Sequence, residues 1–551
     1  MRYIAFLLLF LSVLSTSKAQ TETSPKHEVR AVWLTTLNGL DWPRTRGAEA
    51  QKQELIHILD QLKEAGINTV LFQTRVRATT VYPSKMEPWE PTLAGGNAPS
   101  YNPLQFCIDE CHKRGMECHA WVCTIPIGKW NKVGCKEMRK KYSKLIKRIG
   151  EEAYMDPANP QTADYMARIC CEIVANYDVD GIHLDYIRYP ETWKLKISKS
   201  QARANITSVV RAIHRAVKAE KPWVKMSCSP IGKHDNLTRY KAGGWNARTA
   251  VCQDAQAWMR EGLMDQLYPM MYFKDDNFYP FAIDWQEQSN GRTIVSGLGI
   301  YFLDPKEGKW TLDIVEREMY VTRQIGIGHC YFRSKFFTDN QKGIYDFGKR
   351  FDAVPALVPP MTWAGKPVPA APTSLTIDGN TLYWQGAQDH SGGPYLLYNI
   401  YASKYFPVDI NNSENIVATR IMASNLLVPS QGLNYAVTAM DRYGQESTPV
   451  QLQLVANSRP ENDDSPSAPT SEGAIPFYTV SKTQGIFIMP PRPSNLDARF
   501  IMIENIQGKS ISVQPYTQQL SLADIPRGIY QLRSLGRKGR NHRLGILYVD
   551  K

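Results

Sequence analysis

Between about residues 28 and 353 the chain alternates β-rich apolar runs with helical patterns, and this alternation limits what it can fold into more than any other feature. Eight runs read as strands: 29–36, 68–75, 117–124, 180–187, 223–230, 265–273, 292–302 and 328–337. Between the first two, Leu55, Ile58, Leu59 and Leu62 repeat with the spacing of one helix face. Eight strands with helical crossovers in roughly 300 residues are what a (β/α)8 barrel requires. The competing layout, an open doubly wound sheet, usually places a glycine-rich phosphate loop after its first strand. Here "LTTLNGLDWP" stands in that place.

The expected architecture is therefore α/β, a (β/α)8 TIM barrel over 20–355, followed by two small all-β, sandwich-like domains. A proline-rich linker, 356–369, separates the barrel from short alternating strands at 370–456, which include "NTLYWQG" and "LNYAVTAMDRYGQES". A polar linker, 457–473, precedes a β domain at 474–551, where "ARFIMIENIQGKSI" and "LSLADIPRGIYQLRSL" read as two hairpins. Residues 1–19 have a basic start, an apolar run and a small-residue end at Ala19, the pattern of a secretory signal peptide. No later run is long enough to span a bilayer. The expectation is an exported protein without an integral membrane span, whether periplasmic, cell-surface or secreted.

All ten cysteines fall between Cys107 and Cys330, several inside strand or helix patterns, which predicts free core thiols rather than a disulfide scaffold. Cys107, Cys111 and His112 lie on one predicted helix; without a second ligand pair at suitable spacing they read as core-facing. No metal or organic cofactor is expected. Net charge is +12, but no nucleic-acid-binding signature accompanies it, so the partner expected is a glycan and not a nucleic acid. Nothing in the sequence indicates an oligomeric state.

In a barrel the ligand site forms at the C-terminal ends of the strands. In "DGIHLDYIRYP", alternation places Gly181, His183 and Asp185 on one face and Ile182, Leu184 and Tyr186 on the other. Asp185 then sits at the mouth, a position costly for a carboxylate unless it is paired, for example with Arg188, or working. The other strand ends supply Asp41, Arg75, Arg77, Glu87, Trp89, Trp121, Tyr272 and Asp304. Aromatic residues beside carboxylates and arginines suit a sugar cleft. Glycoside hydrolysis usually takes two carboxyl groups; Asp185 is the first, and Asp275, just past strand six, is preferred over Asp276, Glu87 and Asp304 as the second.

The segments "RAVWLTTLNGLDWP", "NTVLFQTRVRATTVYPSKMEPWE", "DGIHLDYIRYP", "KMSCSPIG" and "LYPMMYF" together resemble, in order, the bacterial glycosyl-hydrolase-like ten family. That resemblance covers about 28–350 and implies a glycosidase barrel acting on a bacterial glycan, with peptidoglycan strands stripped of their peptides as the leading substrate. By position it makes Asp185 the strand-four acid, with Arg75, Glu87, His183 and Tyr272 in the cleft. Many relatives carry a second aspartate where this chain has Tyr186, and a tryptophan where it has Phe273. Segment 370–456 resembles a fibronectin type III domain, and the C-terminal domain is similar to type IX sorting modules, with a Gly-Lys turn and a Gly-Ile-Tyr strand. Two other readings are a glycan-binding or adhesion protein that has lost turnover and a hydrolase of dietary or host polysaccharide.

Overall fold

The computed structural model describes residues 24–238, 240–428 and 432–456, and within the last domain 477–481, 485–489, 500–505, 510–517, 519–535 and 541–550. The expected signal peptide, the 457–473 linker and the Gly-Lys turn lie outside these residues.

The eight expected strands form a closed parallel barrel: β1 (Arg30–Leu34), β2 (Thr69–Arg75), β3 (Glu117–Cys123), β4 (Gly181–Asp185), β5 (Lys225–Cys228), β6 in two pieces (Gln266–Leu267 and Met270–Met271), β7 (Thr293–Leu298) and β8 (Gly328–Tyr331). Pairing of Arg30 with His329 closes the ring. β6 is broken because Pro269 has no N–H for the ladder, although its carbonyl still accepts from Gly297. The expected 328–337 strand ends at Tyr331, and Ser334–Thr338 is helical.

Crossover helices include α1 (Ala48–Glu64), α2 (Pro103–Lys113), α3 (Pro160–Asn176), α4 (Lys199–Glu220), α5 (Ala255–Arg260), α6 (Tyr279–Glu287) and α7 (Leu312–Gln324). In α1, Leu55, Ile58, Leu59 and Leu62 are buried, as their spacing predicts. Several of these helices start on a cap: the side chains of Asn102, Asn159 and Ser198 accept from backbone N–H groups of α2, α3 and α4. Inward side chains, among them Ala31, Trp33, Leu71, Trp121, Tyr268 and Val295, fill the barrel, so it is a packed core with its working surface at one end. Between β3 and β4 the chain inserts an antiparallel sheet that the sequence reading did not foresee, made of Pro126–Lys129, Ile146–Ile149 and Glu152–Met155.

The 370–456 segment forms two facing sheets. One holds Leu375–Asp378, Thr381–Trp384 and Asn425–Leu427; the other orders Ile416–Ile421, Leu397–Ser403, Asn434–Met440 and Val450–Leu452. Leu382, Trp384, Tyr398, Ile400, Tyr435 and Val437 form the core between them. This sandwich docks under the N-terminal end of the barrel. Arg420 reaches Glu117 at the start of β3 (3.1 Å) and Asp180 just before β4 (2.5 Å). At Gly115, φ +68°, a Cβ would fall 2.4 Å from the Thr419 carbonyl, so only glycine permits this approach.

The C-terminal unit carries a five-stranded sheet, Phe477–Ser481, Asn541–Asp550, Gly528–Leu535, Phe500–Asn505 and Ser510–Pro515, plus a two-stranded one. The first expected hairpin is present as Phe500–Asn505 with Ser510–Pro515. The second is not. Gln519–Ser521 pairs with Ile486–Ile488, while Gly528–Leu535 lies between Phe500–Asn505 and Asn541–Asp550. The connecting Leu522 and Ile525 are buried in the core with Leu532, which carries the chain from one sheet to the other instead of into a tight turn.

All ten cysteines are free thiols, nine of them buried.

Candidate active site

The predicted alternation in β4 holds through Asp185: Ile182 and Leu184 pack outward in the core shared with the helices, and His183 and Asp185 face inward. It fails at Tyr186, expected on the apolar face. That residue adopts φ +51° and is 38% exposed, so its ring stands at the mouth.

Asp185 is 7% exposed and held by three donors. Oδ1 accepts from Ser229 Oγ (2.8 Å) and the Tyr186 N–H (2.8 Å), and Oδ2 accepts from Trp121 Nε1 (3.1 Å). Burial raises its pKa above the ordinary carboxylate value, and the three donors and the charge of Arg188 offset only part of that rise. His183, one layer deeper, has both nitrogens occupied. Trp33 Nε1–H donates to Nε2 (3.1 Å), so the proton must be on Nδ1, which lies 2.9 Å from Ser227 Oγ. Burial, followed by the nearby His119, pushes its pKa well down, and its ring is fully buried between Trp33 and Ser227.

Arg75 and Glu87 pair face to face inside the protein, with Arg75 Nη2 2.7 Å from Glu87 Oε1 and neither side chain exposed. Tyr165 donates to the same carboxylate at 2.9 Å. The guanidinium also donates to the carbonyls of Cys123 and Thr124, and Thr124 in turn donates through N (2.9 Å) and Oγ1 (2.8 Å) to the Asp185 carbonyl. Both residues therefore act through the backbone that carries Asp185. Asp41 is likewise occupied: it pairs with Arg333 and accepts from the Thr35 N–H (3.0 Å), tying the loop after β1 to the one after β8.

Four further residues stand at the mouth, of which Tyr186 and Trp245 are exposed and Arg188 is buried. Arg188 lies over the rings of Tyr186 (4.7 Å) and Trp245 (5.9 Å), bonds Glu191 at 2.8 Å, and keeps a buried Nε without a partner. Tyr272 is wedged against Tyr301 (5.6 Å between centroids) and Phe332 (5.2 Å), and its enclosed hydroxyl has no partner. Trp245 is 45% exposed, and Tyr186 completes the set. Trp89 is half-buried and packs against the apolar core. Beside the mouth, the loops after β1 and β2 enclose a cavity of about 870 Å³ lined by Asn38, Arg44, Gln51, Leu93 and Tyr101.

Asp275 begins an exposed 3-10 turn, and its electrostatic neighbours are Tyr279 and Glu318 on α6 and α7. β6 ends at Met271, four residues earlier, so strand alternation no longer aims this side chain. Asp304 closes its own turn, accepting from the Lys306 N–H at 2.9 Å. Sequence reasoning missed Ser229, although Ser227 and Ser229 share the inward face of the β5 line and that periodicity was legible.

The family model described as glycosyl hydrolase-like 10 matches residues 28–200 and 197–301. Glycosyl hydrolase YngK of Bacillus subtilis is 28% identical over 499 residues, 81% of this chain and 97% of its own length. Glycosyl hydrolase DigH of Escherichia coli K12 is 30% identical over 295 residues, 46% of this chain and 67% of its own. Among solved structures, the catalytic domain of a β-amylase from Paenibacillus polymyxa aligns with 60% of this chain and 98% of its own, at 12% identity and a TM-score of 0.40.

Proposed function

Because the chain belongs to the glycosyl-hydrolase-like 10 family, we propose that it hydrolyses a bacterial glycan, peptide-free peptidoglycan strands, at the barrel mouth. One observation carries this reading: a buried carboxylate with a raised pKa ends β4 at a mouth where the rings of Tyr186 and Trp245 are exposed and the largely buried guanidinium of Arg188 lies against both. Asp185 acts on the scissile linkage, and Tyr186 and Trp245 stack on sugar rings. Muramic acid without its peptide keeps a lactyl carboxylate. Arg188 bonds Glu191 through Nη1 but keeps an Nε without a partner, whereas Arg75 is spent on Glu87, so Arg188 is the arginine proposed to pair with the lactyl carboxylate. The test is mass spectrometry of soluble products from such strands and from intact sacculi. Binding without products favours an adhesion protein, and no binding redirects the search to dietary or host polysaccharide.

For the second carboxyl group, Glu191 is better placed than Asp275. It is 47% exposed, lies on the loop after β4 and is bridged by Arg188, whose charge acts on Asp185. Glu191→Gln is expected to lower kcat/KM by about 10²-fold or more, the low end for a general acid or base. Asp275→Asn is expected to leave it within about twofold. The reverse ranking, measured on the same strands, would return the assignment to strand six.

Trp121→Phe removes a donor that favours the ionised form of Asp185, so the Asp185 pKa should rise further. A bond to a charged group contributes ~1.5–3 kcal/mol, and 1.36 kcal/mol corresponds to one pKa unit. The limb of the kcat/KM profile governed by Asp185 should therefore move up by about one to two pH units. A profile that does not move would detach that limb from Asp185.

Residues 1–19 support export of the protein. No helix among the described residues is long and apolar enough to cross a membrane. The three-on-four strand order supports a fibronectin type III-like sandwich, and the C-terminal β unit is consistent with a sorting module.

A further inference from the structure

Read from sequence, Cys107 and Cys111 were two thiols on a helix face with no partner pair. The fold supplies a third. β3 alternates so that Glu117, His119 and Trp121 turn toward the barrel axis while Cys118 turns out toward α2. There its Sγ stands 3.9 Å from Cys107 Sγ, and the sulfurs of Cys107, Cys111 and Cys118 all lie within 4.8 Å of one another. Each of the three residues is fully buried. They come from two elements packed against each other, so the spacing belongs to the tertiary fold and not to one helix turn.

We propose that Cys107, Cys111 and Cys118 form a structural site for a soft d10 cation, Cu⁺ or Zn²⁺. With metal–sulfur bonds of about 2.3 Å, three thiolates on one ion stand ~3.8–4.0 Å apart, from tetrahedral to trigonal geometry. One edge of the observed triangle already has this length, and the other two, each within 4.8 Å, need to close by at most about 1 Å. Thiolate sulfur selects soft ions over Mg²⁺ or Ca²⁺. Binding exchanges three S–H bonds for three S–metal bonds and sends three protons to solvent, so affinity should fall at acid pH.

The surroundings favour the three-coordinate arrangement. His112, the adjacent ligand type, has its Nε2 on Asp180 Oδ2 at 2.9 Å, and the same carboxylate oxygen accepts the Cys118 N–H at 2.9 Å. A fourth ligand would have to be drawn from that pair, which a four-coordinate Zn²⁺ needs and a trigonal Cu⁺ does not. The other buried candidate group, Glu28, His329 and Asp352, is already neutralised by Arg30 and Arg323 and has no such vacancy. Lying on the side of the barrel near its base, the thiol site would tie α2 to β3 without touching the mouth.

The test uses the full chain, reduced and stripped with chelator under nitrogen, then titrated separately with Cu⁺ supplied as its acetonitrile complex and with Zn²⁺. The expected result is one ion retained per chain after gel filtration, by elemental mass spectrometry, with sulfur-to-metal charge-transfer absorption for Cu⁺ and a melting temperature raised by ~5 °C. Cys118→Ala should abolish retention while the metal-free melting temperature stays within a few degrees. Cys135→Ala, a buried thiol outside the cluster, should bind normally. Retention of Zn²⁺ but not Cu⁺, weakened by His112→Gln, would keep the thiolate site and make it four-coordinate. If neither ion is retained, or if Cys118→Ala retains it equally, the three thiols are core contacts only. Because neither outcome involves glycan turnover, this result is independent of the proposed activity.

Discussion

Asp185→Asn should release no detectable oligosaccharide from peptide-free peptidoglycan while the protein still folds and still binds the strands. The expected loss in kcat/KM is at least ~10²–10⁴-fold, the range for removing one group that takes part in proton transfer. Asparagine keeps the size of the side chain and one acceptor oxygen. If that oxygen stays with the Ser229 hydroxyl and the Tyr186 N–H, the amide nitrogen is set against Trp121 Nε1–H, donor against donor. That clash costs about 1–3 kcal/mol, well below what a barrel of this size would need to unfold. Loss of turnover with a melting temperature lowered by only a few degrees would therefore be a chemical effect. Retained turnover would remove Asp185 from the mechanism and with it the main support for the proposed site.

Asp185 was legible because β4 is short, buried and strictly alternating, so a period of two fixes which side chains enter the barrel. The same rule would have found Ser229, whose inward register follows from Ser227. Where alternation stopped, sequence reasoning lost its footing. Tyr186 leaves the outward face and stands at the mouth through a left-handed backbone conformation, and Asp275 lies beyond a strand that Pro269 had already broken. Arg75 and Glu87 were correctly placed near a strand end, but charge alone does not tell a substrate contact from a partner. Only the fold shows that the two neutralise each other twelve residues apart. The inserted sheet after β3 and the crossing of Leu522 and Ile525 between sheets in the last unit escaped for a related reason. Both depend on which distant surface a short strand meets, and local pattern does not encode that.

The largest expected effect on stability comes from the opposite end of the barrel. Arg420, itself at φ +58°, carries a guanidinium from the sandwich to Glu117 and Asp180, two carboxylates almost without exposure. Lys225 shares Glu117 at 2.7 Å, and Arg442 supports Asp178 at 3.1 Å and Asp180 at 3.4 Å. Arg420→Met keeps much of the apolar stem and removes the charge. Breaking one side of a buried pair costs about 3–5 kcal/mol because the other charge stays behind. For Glu117, burial favours the neutral form, but Lys225, His119 and Arg420 outweigh it and hold the pKa at about 2, below the ordinary 4.5. Its contribution is thus fully present above about pH 4.5 and is lost as pH falls toward 2. In Arg420→Met that pKa should rise, so acid unfolding should begin at higher pH as well as the melting temperature falling. Glycan turnover at 25 °C should stay near wild type, since the mouth lies at the other end of the strands. A melting temperature unchanged to within a degree would mean that the sandwich is only tethered. A large fall with intact turnover would make it the base on which β3 and β4 are seated, so that the strand carrying Asp185 takes its position partly from a domain docked at the opposite end of the barrel.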